Sequence, residues 1–270
     1  MRTRTSIRAI AATAALTVVT LSLNGCFSDT TTSPQAEAPP LPAPERITFD
    51  FDFFQEPSPV ERASKHNFFN AYVRVAVVGA VTKLLVTPPI AALALAFDTV
   101  PSLQDDGSYV WVYTYVDGAE EAQIRLRGRH LSGDRVEWEL RVSNTEEDLV
   151  NVVWFEGETW KDGDHGFFRF HDVYDAASPV NGRIDWGADA DGEFLRLTDL
   201  NENPDDSLEL RVHGANHSVV FTDASDEALS WFVRWNDATG EGSLRAPDYN
   251  DGLEACWDHR QNDVECVPAS

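Results

Sequence analysis

Lysine is almost absent from this sequence: Lys65, Lys83 and Lys161 are the only ones in 270 residues, and the 21 basic residues face 45 Asp and Glu. The formal charge of -24 excludes a partner held by simple phosphate neutralisation, because a nucleic-acid surface needs clustered cations. Methionine occurs once, as Met1, and cysteine three times, as Cys26, Cys256 and Cys266, with no Cys-x-x-Cys. That spacing argues against a cysteine-built zinc or redox centre. No Gly-x-Ser-x-Gly elbow, phosphate loop, dinucleotide fingerprint or His-Glu-x-x-His occurs, so serine-hydrolase, nucleotide and zinc-protease chemistry lack their signatures. What the chain does hold is 43% hydrophobic and 11% aromatic residues, enough to build a packed core and too many for a wholly disordered chain. One folded domain after a short leader follows.

Residues 1–25 read as an export signal. Arg2, Arg4 and Arg8 form a basic start, and Ile10 to Leu21 is an uncharged apolar stretch too short for a comfortable membrane span. Leu23-Asn24-Gly25-Cys26 then resembles the lipobox of bacterial lipoproteins, with Leu three before a Cys and a small residue just before it; Asn24 is the less usual member. The resemblance implies diacylation of the Cys26 thiol, cleavage of the leader before it, and anchoring by the covalent lipid; no other cofactor is implied. Phe27 after the Cys, in place of Asp, favours the outer over the inner membrane in an enterobacterium-like host. An ordinary secretory signal with a chance cysteine is the competing reading.

Residues 26–45 carry Pro34, Pro39, Pro40, Pro42 and Pro44 and read as a semi-rigid tether of about 3.1 Å per residue. The remaining 46–270 reads as a single β-rich domain. From Arg46 to Phe53, Ile47, Phe49, Phe51 and Phe53 alternate with polar residues, a strand signal. Residues 60–97 predict a helical hairpin, apolar on all sides after Arg74 and broken at Pro88-Pro89. Lys83 and the proline pair argue against a membrane span over 76–97. Residues 108–246 are a succession of alternating runs, about eleven, separated by turns rich in Gly, Asp, Asn and Pro. They predict an antiparallel up-and-down meander, an open or closed barrel with the hairpin packed on or in it. The runs are mostly shorter than transmembrane-barrel strands. This layout resembles the lipocalin-like and lipoprotein-carrier half-barrels. Asn67-Phe68-Phe69-Asn70-Ala71 and the stretch from Cys256-Trp257-Asp258 to Cys266 resemble uncharacterised lipoproteins of Gram-negative bacteria, a likeness that carries no activity.

The tail, 247–270, holds Cys256 and Cys266. In an exported chain with Cys26 acylated they are the remaining pair and predict a disulfide, worth roughly 2.5 to 3 kcal/mol by loop entropy. His213 and His217 are four apart, but Gly214 places them on a hairpin and not on a metal-binding helix. Asp199, Asn201, Asn203 and Asp205 resemble the start of a calcium loop without its twelfth-position carboxylate, so no metal site is assigned. Tyr109, Trp111, Tyr113 and Tyr115 form an aromatic row opposite Val110, Val112 and Val116. A strand apolar on both faces is covered on both, by helix on one side and by a ligand, a glycan or more protein on the other; plain core packing of the row is the competing reading.

These readings converge on a membrane-anchored, non-enzymatic envelope lipoprotein whose sheet and helices enclose an apolar ligand such as a lipid. The alternatives are a surface interaction protein with an envelope protein or glycan as partner, and a glycan-active enzyme using paired carboxylates. Metabolic labelling with a fatty acid should mark the wild-type chain and not Cys26→Ser; equal labelling of both removes the anchor.

Overall fold

The computed structural model describes residues 37–42, 47, 49, 51–117 and 120–266, with backbone alone at 84–89, 117 and 120. Cys26, the leader and most of the Pro-rich segment lie outside the described residues. A compact unit runs from Ala38 onward.

That unit is a single antiparallel meander in which every strand pairs only with its neighbours in sequence. In order the strands are β1 (Ser102–Leu103), β2 (Tyr109–Asp117), β3 (Glu120–His130), β4 (Arg135–Asn144), β5 (Leu149–Trp160), β6 (Gly166–His171) and β7 (Val180–Asp189). β8 (Gly192–Asp199), β9 (Ser207–His213), β10 (Asn216–Thr222), β11 (Trp231–Asn236), β12 (Gly242–Arg245), β13 (Ala255–Trp257) and β14 (Asp263–Val264) follow. The eleven alternating runs correspond to β2–β12. The sheet nevertheless has 14 strands, because β1, β13 and β14 are two- or three-residue pieces that carry too few side chains for a period to show. It is not a closed barrel: β1 and β14 are free ends of the strand order.

Register explains the core. Across β3 to β11 one row of paired residues reads Gly128, Trp138, Gly157, Phe168, Ile184, Leu197, Leu208, Phe221 and Trp231. All face the concave side, as period-2 alternation requires. The glycines beside Trp138 make room for it: a Cβ on Gly128 would stand 2.7 Å from the indole ring. Trp138 is fully buried, and its Nε1 donates to Thr159 Oγ1 at 2.8 Å. The buried indoles of Trp186 and Trp257 likewise donate to the carbonyls of Gly163 and Gly240, so these large apolar rings enter the core without stranding a polar atom.

The convex side is charged. Arg127 and Arg129 pair with Glu137, Arg135 with Glu158, Arg196 with Glu209, and Arg211 with Asp189 and Glu209. Between them Arg183 lies over the Phe167 ring at 4.1 Å and Arg234 over Phe232 at 4.2 Å. β2–β5 and β7 run 9 to 12 residues, longer than the runs read from sequence. Strand length therefore does not argue against a bilayer-spanning barrel. The charged outer face does, since Arg at bilayer depth costs about 2 to 4 kcal/mol each.

The expected helical hairpin is one helix, α1 (His66–Phe97), 32 residues long, which runs on through Pro88-Pro89. Two prolines inside a helix cost several kcal/mol, so contacts on both sides of them must hold it. On the N-terminal side α1 packs on β12, β13 and β14; it also packs on β2. Asp263 of β14 accepts the backbone N–H groups of His66 at 3.2 Å and Asn67 at 2.8 Å, a carboxylate at the positive end of the helix. On the C-terminal side the Tyr113 hydroxyl of β2 donates to the Ala92 carbonyl. α1 thus spans the opening between the two ends of the sheet.

Nor is α1 buried all round. Phe68, Ala71, Val75, Val78, Leu93 and Ala96 are buried, whereas Val73, Val77, Val81, Leu95 and Phe97 are exposed. Likewise β2 is covered on both faces only at its start, where Tyr109, Val110 and Trp111 are buried; farther along Val112 is 50% and Val116 63% exposed on the outer face, and Tyr115 is exposed on the inner one. Segment 46–53 forms no strand among its described residues. Phe51 instead lies against Gly79 of α1, Phe53 stacks on Trp235 at 6.0 Å, and Phe54 stacks on Phe68 at 5.4 Å. The alternation there serves packing on two partners instead of pairing in the sheet. Pro39 and Pro42, at the end of the Pro-rich segment, are buried too.

Cys256 and Cys266 are joined in a disulfide, with Cα atoms 5.2 Å apart. It ties the tail beyond β14 back to β13. Removing the Asp263 cap should loosen both the helix and this end of the sheet. Asp263→Ala is expected to lower stability by about 1 to 3 kcal/mol, read as a drop in urea midpoint, and Asp263→Asn by less.

Candidate functional site

The inner face of the meander is filled at one end and open at the other. At the filled end Phe53, Phe54, Phe68, Trp235 and Trp257 meet ring to ring at 4.9 to 6.4 Å. His217 joins them, stacked on Trp235 at 5.1 Å, with Nε2 2.7 Å from Asp237. Nothing enters such a packed cluster without displacing a ring.

The opposite end carries the turns 172–179, 200–206 and 223–230. Here a cavity of about 620 Å³ lies between α1 and strands β6 to β10, within the usual range for small-molecule sites. Its floor is apolar: Phe170, Ile184, Leu197, Leu208 and Phe221 from the sheet and Val81 from α1. Ile184 and Leu197 are buried, and Phe170, Leu208 and Phe221 are half-buried. The rim is polar and mainly acidic, with Asp172, Asp199, Glu202 and Asp206 beside Asn181, Asn201 and Asn203; Arg183 also lines it and is paired with Asp185.

Most of that acidity holds the rim in shape. Asp199 accepts the backbone N–H groups of Asn201, Glu202 and Asn203 at 2.8 to 3.2 Å. The loop read as an incomplete calcium site is therefore closed on its own backbone. Asp172 accepts from Tyr174 N–H at 2.9 Å, the ordinary turn chemistry of Asp, and Asp206 accepts from Ala224 N–H at 2.9 Å, which ties two loops of the rim together. Glu202 remains the rim carboxylate for which the described hydrogen bonds give no such duty.

The aromatic row of β2 is inward-facing as a set, but its members divide. Trp111 is 3% exposed and packs on Trp138 with ring centroids 5.9 Å apart. Tyr109 is buried. Tyr113 clamps α1 through Ala92, and burial pushes its phenol well above the ordinary tyrosine range, so it stays a donor. Tyr115 alone lines a second, smaller cavity of about 230 Å³ at the same open end, with Ile124, Val142, Leu149 and Trp154. His213 and His217 point to opposite faces, since His213 pairs with Asn216 and His217 with Val212.

A groove of about 570 Å³ also runs along the charged convex face, lined by Arg211, His213, Asn216, Ser218, Arg234 and Ser243 among others. It is more open than the first cavity, and Trp235 is its one large apolar side chain, where the first cavity has six, which makes the open end of the sheet the stronger site. No protein-family model, curated protein or solved structure matches the chain.

Sequence reading missed the residues of the main cavity. Alternation does place Phe170, Ile184, Leu197, Leu208 and Phe221 on the inner face; what it lacks is the register that gathers them, and the fact that only one end is plugged. Because Trp111 is core, Trp111→Ala should cost about 3 to 5 kcal/mol of stability. Urea unfolding checks this, and probe binding in the cavity should survive wherever the variant is folded.

Proposed function

We propose that this chain is a lipid-anchored, non-enzymatic envelope protein that takes one apolar molecule, a lipid or lipid-like compound, into the cavity between α1 and β6–β10. The observation that supports the reading is the cavity's make-up: about 620 Å³ with an apolar floor from five strands and a helix, under a polar rim. Apolar burial supplies the affinity, at about 25 cal/mol per Å². The rim sets the preference. Carboxylates at Asp172, Asp199, Glu202 and Asp206 repel an anionic headgroup, so a neutral, hydroxyl-bearing or cationic ligand is favoured over a free fatty acid.

The polar groove at Arg211, His213 and Arg234 supports the second reading, an interaction protein whose partner sits on the convex face.

A neutral phenylnaphthylamine probe should bind the folded chain and gain fluorescence, whereas a fatty-acid probe should bind more weakly. Leu208→Trp, which fills the floor, should weaken the neutral probe about tenfold or more with the unfolding midpoint little changed. Absence of probe binding, or equal binding by Leu208→Trp, would discard the carrier reading for the interaction one.

A further inference from the structure

The outward face of α1 meets the cavity only at Val81. On a wheel of 100° per residue Val73, Val77, Val81 and Leu95 fall within roughly 80° of one another, and all four are exposed, Val77 by 59%. Ala76, Ala80 and Ala94 lie exposed beside them. The buried residues Ala71, Val75, Val78, Leu93 and Ala96 occupy the opposite side. A helix packed on a sheet normally turns polar residues outward, and this one turns valines.

Charge narrows what covers that face. The chain carries 45 Asp and Glu, yet none falls in the 32 residues of α1. The charged residues of the helix are Arg74, paired with Asp248 of the loop after β12, and Lys83, which is exposed and flanks the stripe. An acidic protein that leaves one long apolar face free of carboxylates matches a lipid surface, with Lys83 at its edge placed to meet headgroup phosphates. Among the described residues no helix is long and apolar enough to cross a membrane.

We propose that α1 docks this face into the headgroup–acyl boundary, with Val73, Val77, Val81 and Leu95 in contact with lipid and Lys83 among the headgroups. Val81 belongs both to the stripe and to the cavity floor, which sets the cavity mouth at the membrane surface and gives an apolar ligand a path that avoids water. The orientation rests on the lipid-anchor reading for its proximity to a bilayer, not on the cavity being filled.

The test uses the full acylated chain. With Cys256 and Cys266 bonded and Cys26 acylated, Val77→Cys supplies the one free thiol for an environment-sensitive fluorophore, and Val150→Cys, at a position 77% exposed on β5, supplies the control. In phosphatidylcholine–phosphatidylglycerol vesicles, a lipid-borne quencher should dim the label at 77 about fivefold more than the label at 150. Equal quenching at the two positions would overturn the docking. So would shielding of the label at 77 in the absence of lipid that grows with protein concentration, because a second copy would then be the occupant. Loss of fatty-acid labelling at Cys26 would remove the anchor reading while the quenching comparison, run with excess vesicles, still decides the face.

Discussion

Everything in this fold depends on α1 being held across the opening of a sheet that does not close on itself. A meander of 14 strands has two edges, each a row of unpaired backbone groups that invites another chain. Here the edge strands β1 and β14 are two residues long, and the helix lies across the gap between them. Its N-terminus is fixed by the Asp263 carboxylate on the last strand and its C-terminal half by the Tyr113 hydroxyl on the second. Residues about 150 apart in the chain are joined through the helix, so the two ends of the sheet keep their curvature without pairing. The aromatic cluster of Phe53, Phe54, Phe68, Trp235 and Trp257 adds the packing that sets the angle of the helix at its start.

Helix placement also decides where the cavity is. The segment 51–54 and the first turns of α1 fill one end of the concave face with rings. Farther along, α1 presents Val81 in place of a ring, and with Phe170, Ile184, Leu197, Leu208 and Phe221 of the sheet it lines the cavity. One element therefore plugs one end of the interior and borders the cavity at the other.

The acidity of the chain has a structural share that composition alone conceals. Asp106, Asp162, Asp172, Asp175, Asp189, Asp199, Asp223, Asp226 and Asp258 each accept a backbone N–H two residues on. These are the turns of the meander, and a fold made of hairpins needs many. The Ser108 hydroxyl holds Asp106, the Ser225 hydroxyl Asp223 and the Asn262 N–H Asp258 below the usual carboxylate range. A folded pKa below the unfolded one stabilises the fold above the ordinary carboxylate range and loses that contribution as pH falls through the folded value. Part of the acidity is thus plain turn chemistry.

The residues alone were enough to locate β2–β12, because a strand with one wet face must alternate and the turns between such strands must use Asp, Asn and Gly. They also placed the disulfide pair, Cys256 and Cys266, ten positions apart in the tail. Segment 46–53 alternates as a strand does, yet its phenylalanines are divided between α1 and Trp235, which no period can report. Pro88-Pro89 stop a helix by local rules, and α1 passes through them because contacts with β12–β14 and β2 hold it on both sides. The apolar surround of α1 predicted burial on every side, although periodicity records only that a face is apolar and not what stands against it. Register, plugging of one end, and exposure of the valine stripe were decided by contacts between residues far apart in the chain, and a linear pattern carries no information about those.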